Sequence, residues 1–278
     1  MDGLFLVIVL SGCRASEDLP AKKNEVYADY SSRDGGFDRL APPAPDEWLA
    51  LVDEPGQTFE EFKRTASNQR SAGRDTIYLL PAEGLSRRNP ELLETVREYV
   101  SVFFQCAASF LPDRPLPRSA WSPDRQQYDA EAILDDLAAA VPSDALAVAA
   151  FTDRDLYSGR LNFVFGLASL TRRVGVYSIH RYGDPHSREG LRRTLKVANH
   201  EIGHMFGIRH CVFYRCSMNG SNSLAESDAR PIHYCPPDLD KLVRAVGCDP
   251  ASRARDLASF YRRIGFLDDA RFLEGRLP

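Results

Sequence analysis

The chain has 278 residues, 44% of them hydrophobic and 27% charged, with a formal net charge of −4. That length accommodates one domain of about 200–250 residues plus an appendage. The charge balance argues against a nucleic-acid partner, and no apolar run is long enough to form a membrane-spanning helix.

An apolar run from Leu4 to Leu10 is followed by Ser11-Gly12-Cys13. The pattern is similar to a bacterial lipobox, in which Cys13 takes a lipid and becomes the mature N-terminus. On that reading residues 1–13 are a signal segment of a lipoprotein, and the chain is lipid-anchored or periplasmic in a bacterial cell envelope. The same run also reads as a buried N-terminal strand, because it is short and preceded by Asp2 rather than Lys or Arg. In that case the protein is cytoplasmic. Residues 14–45 are polar and aperiodic, which predicts a tether. Pro42-Pro43-Ala44-Pro45 marks the start of the folded part, expected over residues 46–270.

Asp46-Glu47-Trp48-Leu49 starts a short helix that Pro55-Gly56 breaks, and Thr58 to Phe62 gives another helical turn. Thr76 to Leu80 is β-branched and aromatic, hence a strand. Asn89-Pro90 opens a helix whose Leu92, Leu93, Val96, Tyr99, Val100 and Phe103 recur at helical spacing. Tyr128 to Val141 predicts a second helix and Ala145 to Phe151 a buried strand. Phe163 to Leu170 and Val174 to His180 read as strands around a charged turn. Ser187 to Phe206 is a helix with Leu191, Leu195, Ala198, Ile202 and Met205 facing inward. Leu239 to Val246 and Ala251 to Ile264 are helical, with Arg253, Arg255, Arg262 and Arg263 on a solvated face. Cys106 reads as a small buried hydrophobe, and His180 and His186 carry no assigned role.

The chemistry concentrates in HEIGHMFGIRH, His200 to His210. His200 and His204 are four residues apart, so a helix stacks them on one face. Glu201 sits beside that face, within reach of a water on the metal rather than of the metal itself. Gly207 tolerates the left-handed conformation that ends a helix, and the turn brings His210 back as a third ligand. Three protein ligands leave one tetrahedral corner open, the mark of a catalytic rather than a structural zinc.

Together these residues spell H-E-x-x-H-x-x-G-x-x-H, which resembles the metzincin signature. Met218 stands where that family places a methionine in a tight turn under the metal. Cys211, Cys216, Ser217-Met218 and Cys235-Pro236 narrow the resemblance to the archaemetzincins. It runs from about Trp48 to Ile264 and is densest between Asn162 and Cys235. It implies an α+β fold: a metzincin-type zincin catalytic domain with a twisted mixed sheet backed by helices, an active-site helix, a Met-turn and C-terminal helices. It also implies a second, structural zinc on four cysteines. Cys211, Cys216 and Cys235 map onto three of them, and the fourth falls on Asp238, which can ligate through oxygen. Otherwise that site is metal-free or holds a disulfide. By the same resemblance, Gly166, Leu167, Ala168 and Ser169 belong to the strand that binds substrate by main-chain hydrogen bonds.

The expected function is zinc-dependent hydrolysis of peptide bonds by a monomer with Glu201 as general base; the resemblance implies an aminopeptidase acting on short peptides, with internal cleavage as the alternative. The partners are a peptide or protein substrate and, through a lipid on Cys13, a membrane. The rival readings are an inactive zinc-binding cell-envelope interaction module of the same fold and a purely structural zinc domain. The intact Glu201 and the open coordination position weigh against both.

Overall fold

Short apolar runs alternating with amphipathic helices assemble into a sheet covered on both faces. The computed structural model describes residues 8–10, 36–65 and 68–277, with backbone alone for 8–10. The first half contains β1 (Ile8–Leu10), α1 (Trp48–Leu51), α2 (Phe59–Thr65), β2 (Thr76–Pro81), α3 (Leu85–Arg88), α4 (Pro90–Phe104), β3 (Ala107–Phe110), β4 (Trp121–Ser122), β5 (Gln127–Asp129) and α5 (Ala130–Ala138). The second half contains β6 (Ala145–Thr152), β7 (Leu156–Tyr157), β8 (Gly166–Ser169), β9 (Val174–Ser178), α6 (Arg188–Met205), α7 (Leu224–Asp228), α8 (Pro236–Val246), α9 (Pro250–Arg263) and α10 (Leu267–Glu274).

The main sheet has the order β1-β8-β9-β6-β2-β3. β6 pairs in parallel with β2 and β9, whereas β8 pairs antiparallel with β9, so the sheet is mixed. Every residue of β6 is buried, as expected of a parallel strand covered on both faces. Its alternation sends Ala147, Ala149 and Phe151 toward α4 and α6, and Val148 and Ala150 toward α5. On the outer edge of β8 lies β1, parallel to it, with Ile8 opposite Leu167 and Leu10 opposite Ser169. Cys13 lies outside the described residues. Among the described residues no helix is long and apolar enough to cross a membrane.

Several elements differ from the sequence expectation. The helix predicted from Tyr128 begins at Ala130, because residues 127–129 pair as β5 and the Asp129 side chain caps the helix through the Glu131 amide at 2.9 Å. Residues 38–40 were expected in the tether but dock on the loop 213–215: the Leu40 amide donates to Phe213 O at 3.0 Å and the Arg215 amide to Asp38 O at 2.8 Å. Arg253 is not on a solvated face. It is buried, donates from Nε to Phe103 O at 2.7 Å and lies 4.2 Å from the Phe103 ring centre, where its planar cation satisfies a carbonyl and an aromatic face together. β3 and α10 were not expected; α10 carries a buried ionic anchor rather than a broad apolar stripe.

That anchor is Asp269. Its carboxylate takes a 3.0 Å hydrogen bond from Arg192 on α6 and lies 3.3 Å from His233 Nε2. Burial pushes the Asp269 carboxyl up, but His233 and Arg192 outweigh it and hold it well below the usual carboxylate range. A depressed folded pKa contributes stability above the unfolded value, about 3.9, that is lost as pH falls toward the folded one. Asp269→Asn is therefore expected to cost about 3 kcal/mol at pH 7, with the deficit shrinking below pH 4. Urea unfolding of both proteins at the two pH values measures it, and an equal deficit at both would contradict the assignment.

Candidate metal centre

α6 positions the first two histidines. The Ser187 hydroxyl caps its start by accepting from the Gly190 amide at 3.0 Å, and the helix ends at Gly207, whose φ of 85° is left-handed. His200, His204 and His210 are all buried. Each imidazole uses Nδ1 in a hydrogen bond: His200 to Ser217 O at 2.7 Å, His204 to Ile208 O at 2.6 Å, and His210 to Glu54 Oε1 at 2.7 Å. Those bonds leave the Nε2 atoms facing one another. The Nε2 atoms of His200 and His204 are 3.0 Å apart, and His210 Nε2 is buried with no hydrogen-bond partner. Burial, reinforced by His210, pulls the His200 pKa down to about 3, and burial with His200 and His210 pulls His204 well below its usual value. His200 and His204 are therefore neutral and ready to ligate. The three Nε2 atoms, aimed at one point, fit a zinc ion with one corner left over.

Glu201 is wholly buried, and neither carboxylate oxygen has a hydrogen-bond partner. Burial pushes its pKa well up. Such a carboxyl gives and takes a proton readily once a cation and a water lie beside it. The α-carbon of Gly166, the first residue of β8, packs against it. A methyl group there would lie 3.0 Å from Glu201 Oε1, so the strand and the carboxylate approach closely because position 166 lacks a side chain. Leu167, Ala168 and Ser169 follow in β8, all buried.

Met218 is fully buried in the turn after the third histidine. The Cys211 amide donates to Met218 O at 2.8 Å, and Met218 Sδ lies against Gly203 of α6. The same turn gathers the second donor set, in which Cys211, Cys216, Cys235 and Asp238 each place a ligand atom within 4.8 Å of the others. Cys211 Sγ is 3.7 Å from Cys235 Sγ, and Asp238 Oδ2 lies 3.4 Å from Cys216 Sγ and 3.3 Å from Cys235 Sγ. Two thiolates on one zinc stand about 3.8 Å apart, whereas disulfide sulfurs bond at about 2.05 Å. The spacing fits a tetrahedral S₃O site and not a disulfide. Burial pushes Asp238 up to about 6, with the Lys241 ammonium pulling the other way. Lys241 Nζ sits 2.9 Å from Asp238 Oδ1, so one carboxylate oxygen meets the cation and the other meets the thiols.

Five supporting side chains were not legible as such in the sequence: Glu54, Trp48, Asn199, Tyr99 and Tyr234. Glu54 orients His210, and the Trp48 ring stands edge-on to that imidazole at 5.5 Å. Asn199 donates to Tyr99 Oη at 2.6 Å and to Ile232 O at 2.9 Å, while the Tyr234 hydroxyl donates to Asn199 O at 2.6 Å. An acidic residue just before Pro55-Gly56 was the only signal for Glu54. A carboxylate behind a ligating histidine raises its basicity. Glu54→Gln is accordingly expected to weaken zinc binding roughly tenfold or more in chelator competition, with the fold intact by circular dichroism. Unchanged affinity would deny Glu54 that role.

Comparison with known proteins places this geometry in context. The Peptidase family M54 profile matches residues 113–244. Archaemetzincin-2 of Pongo abelii is 31% identical, over 86% of this chain and 82% of that protein. The crystal structure of archaemetzincin from Methanopyrus kandleri superposes with a TM-score of 0.56 at 32% identity, covering 63% of this chain and 97% of that one. The archaemetzincin of Archaeoglobus fulgidus, solved in complex with malonate, gives 0.53 at 28% identity over 60% of this chain and 99% of that one. With its three convergent imidazoles, its cysteine cluster and this degree of identity, the chain belongs to the archaemetzincin family of zinc-dependent peptidases.

Proposed function

We propose that Glu201 is the general base of a water-dependent peptidase whose zinc is held by His200, His204 and His210. The observation that carries the reading is the pair of buried, unpartnered carboxylate oxygens beside the converged imidazoles. His200, His204 and His210 would hold the zinc, which when bound would supply Lewis acidity for the scissile carbonyl and for a water. Glu201 takes a proton from the attacking water and returns it to the departing amine. The imidazoles stay fixed throughout by their Nδ1 bonds. No Ser or Cys nucleophile is required. Cys211, Cys216, Cys235 and Asp238 would hold a second, structural zinc. Short peptides trimmed from the amino end are the proposed substrates, taken by a monomer.

Gly166 to Ser169 offer main-chain hydrogen bonds to an extended peptide. In this chain Ile8–Leu10 lies along that same outer edge. Release of residues 1–12 at a lipobox would leave Cys13 lipidated in the cell envelope and would free the edge for substrate. The apolar run followed by Ser11-Gly12-Cys13 supports this reading.

Glu201→Gln is expected to keep its zinc, by mass spectrometry of the native protein, and to lose roughly 10²–10⁴-fold in kcat. Hydrolysis at the parent rate would remove Glu201 from the mechanism, and a zinc-loaded parent that cleaves no peptide, with or without chelator, would favour the inactive binding module. A chain beginning at residue 14 is expected to cleave peptides severalfold faster than the full chain. Equal rates would show that residues 8–10 do not compete with substrate.

A further inference from the structure

Lys196 lies one helical turn before His200 on α6, so the two side chains share a face. It is only 6% exposed. Its ammonium donates to the carbonyl oxygens of Ser227 and, at 2.8 Å, Arg230. Neither acceptor carries charge. The neighbouring guanidiniums are compensated: Arg193 pairs with Asp228 at 2.6 Å and Arg230 with Glu226 at 3.1 Å. Glu226 is saturated further by the amides of Trp48 and Asn222. The other buried lysine among the described residues, Lys241, has the Asp238 carboxylate at 2.9 Å. Lys196 alone of these four cations has no carboxylate within hydrogen-bond reach. An isolated buried ammonium is costly, and burial pulls this one down to about 7.

Lys196, Arg193 and Arg230 share a pocket with His200 and Glu201. Its cavity of about 40 Å³ has room for a short polar group. A carboxylate entering beside the scissile bond would complete the missing ion pair and find two further guanidiniums nearby.

We propose that this pocket is a substrate subsite that receives a carboxylate on Lys196, so that the peptidase selects peptides carrying a negative charge within a residue of the scissile bond. The inference rests on the peptidase reading above for its substrate, and on the unpaired ammonium for its sign. The carboxylate is either an acidic side chain flanking the bond or the free C-terminus of a short peptide.

The zinc-loaded protein is assayed on peptides that differ only in Glu or Gln on each side of the scissile bond, and on one peptide with a free or amidated C-terminus. A roughly tenfold or greater advantage in kcat/KM is expected for Glu at one position, which identifies the side chain, or for the free acid, which identifies the terminus. In Lys196→Met the favoured ratio falls to about one, and in Lys196→Arg it persists. Parent ratios near one in every arm overturn the proposal, as does a preference that survives Lys196→Met. Should that variant fail to fold, the parent series still decides. If the parent cleaves no peptide, the peptidase reading fails, and binding tests the pocket by itself. Calorimetry on the zinc-loaded parent is then expected to show glutarate bound roughly tenfold more tightly than its monoamide, and equal affinities overturn the subsite.

Discussion

Three hydrogen bonds donated by imidazole Nδ1 atoms hold the metal centre together. They fix which nitrogen of each ring is free and where it points, and the acceptors come from separate stretches of chain: Ile208 after the helix, Ser217 in the turn, and Glu54 far upstream. Two are main-chain carbonyls, so the path of the backbone between residues 207 and 218 is itself part of the site. A shift of that loop would rotate two rings at once. The third acceptor is a carboxylate, the one partner that adds charge behind the ligand.

The cysteine cluster lies where it can hold that path. Cys211 follows His210 directly, and Cys216 precedes Ser217, whose carbonyl orients His200. Cys235 and Asp238 reach the same point from the start of α8. A metal on this set would staple the loop to a helix, and the stapled ends are those that aim the histidines. Asp238 sits in the first turn of α8, where the helix dipole favours a negative group, and Lys241 one turn on takes its second oxygen. A carboxylate shared in this way is a rigid ligand, because its two oxygens are committed in opposite directions. That geometry makes aspartate a workable substitute for a fourth thiolate.

The ligands themselves were legible in the sequence because their spacing is local. Four residues on a helix and a glycine-terminated turn suffice to predict His200, His204 and His210 on one point. The long buried runs of β2, β6 and α4 were legible for the same reason, each having enough periodic apolar residues to announce itself. What sequence periodicity does not carry is the pairing of distant polar groups. Glu54 and His210 are separated by 156 positions, and Asp269 and Arg192 by 77. Arg253 looked solvated because arginine usually is, and only the fold shows that a carbonyl and a phenyl ring were waiting for it. Short elements such as β3 and β5 exist because a neighbouring strand is present to receive their hydrogen bonds, so tertiary context outweighs local preference there.

The electrostatics of the interior then follow from α6. An amphipathic helix at the centre of a domain normally buries apolar residues alone, yet this one also buries Lys196, Asn199, His200, Glu201 and His204. Asn199 is satisfied by Tyr99, Tyr234 and Ile232, and the histidines by carbonyls. Glu201 and Lys196 remain, a carboxyl without a donor and an ammonium with only neutral acceptors, on the same helix within one pocket. Burying both unpaired lowers the stability of the free protein. The two groups are not in contact, so neither relieves the other; each calls for its own partner. A cation and a water complete the first, and an anionic group arriving beside the bond to be cut completes the second. The interior of the helix is thus arranged around charges that the chain itself does not supply.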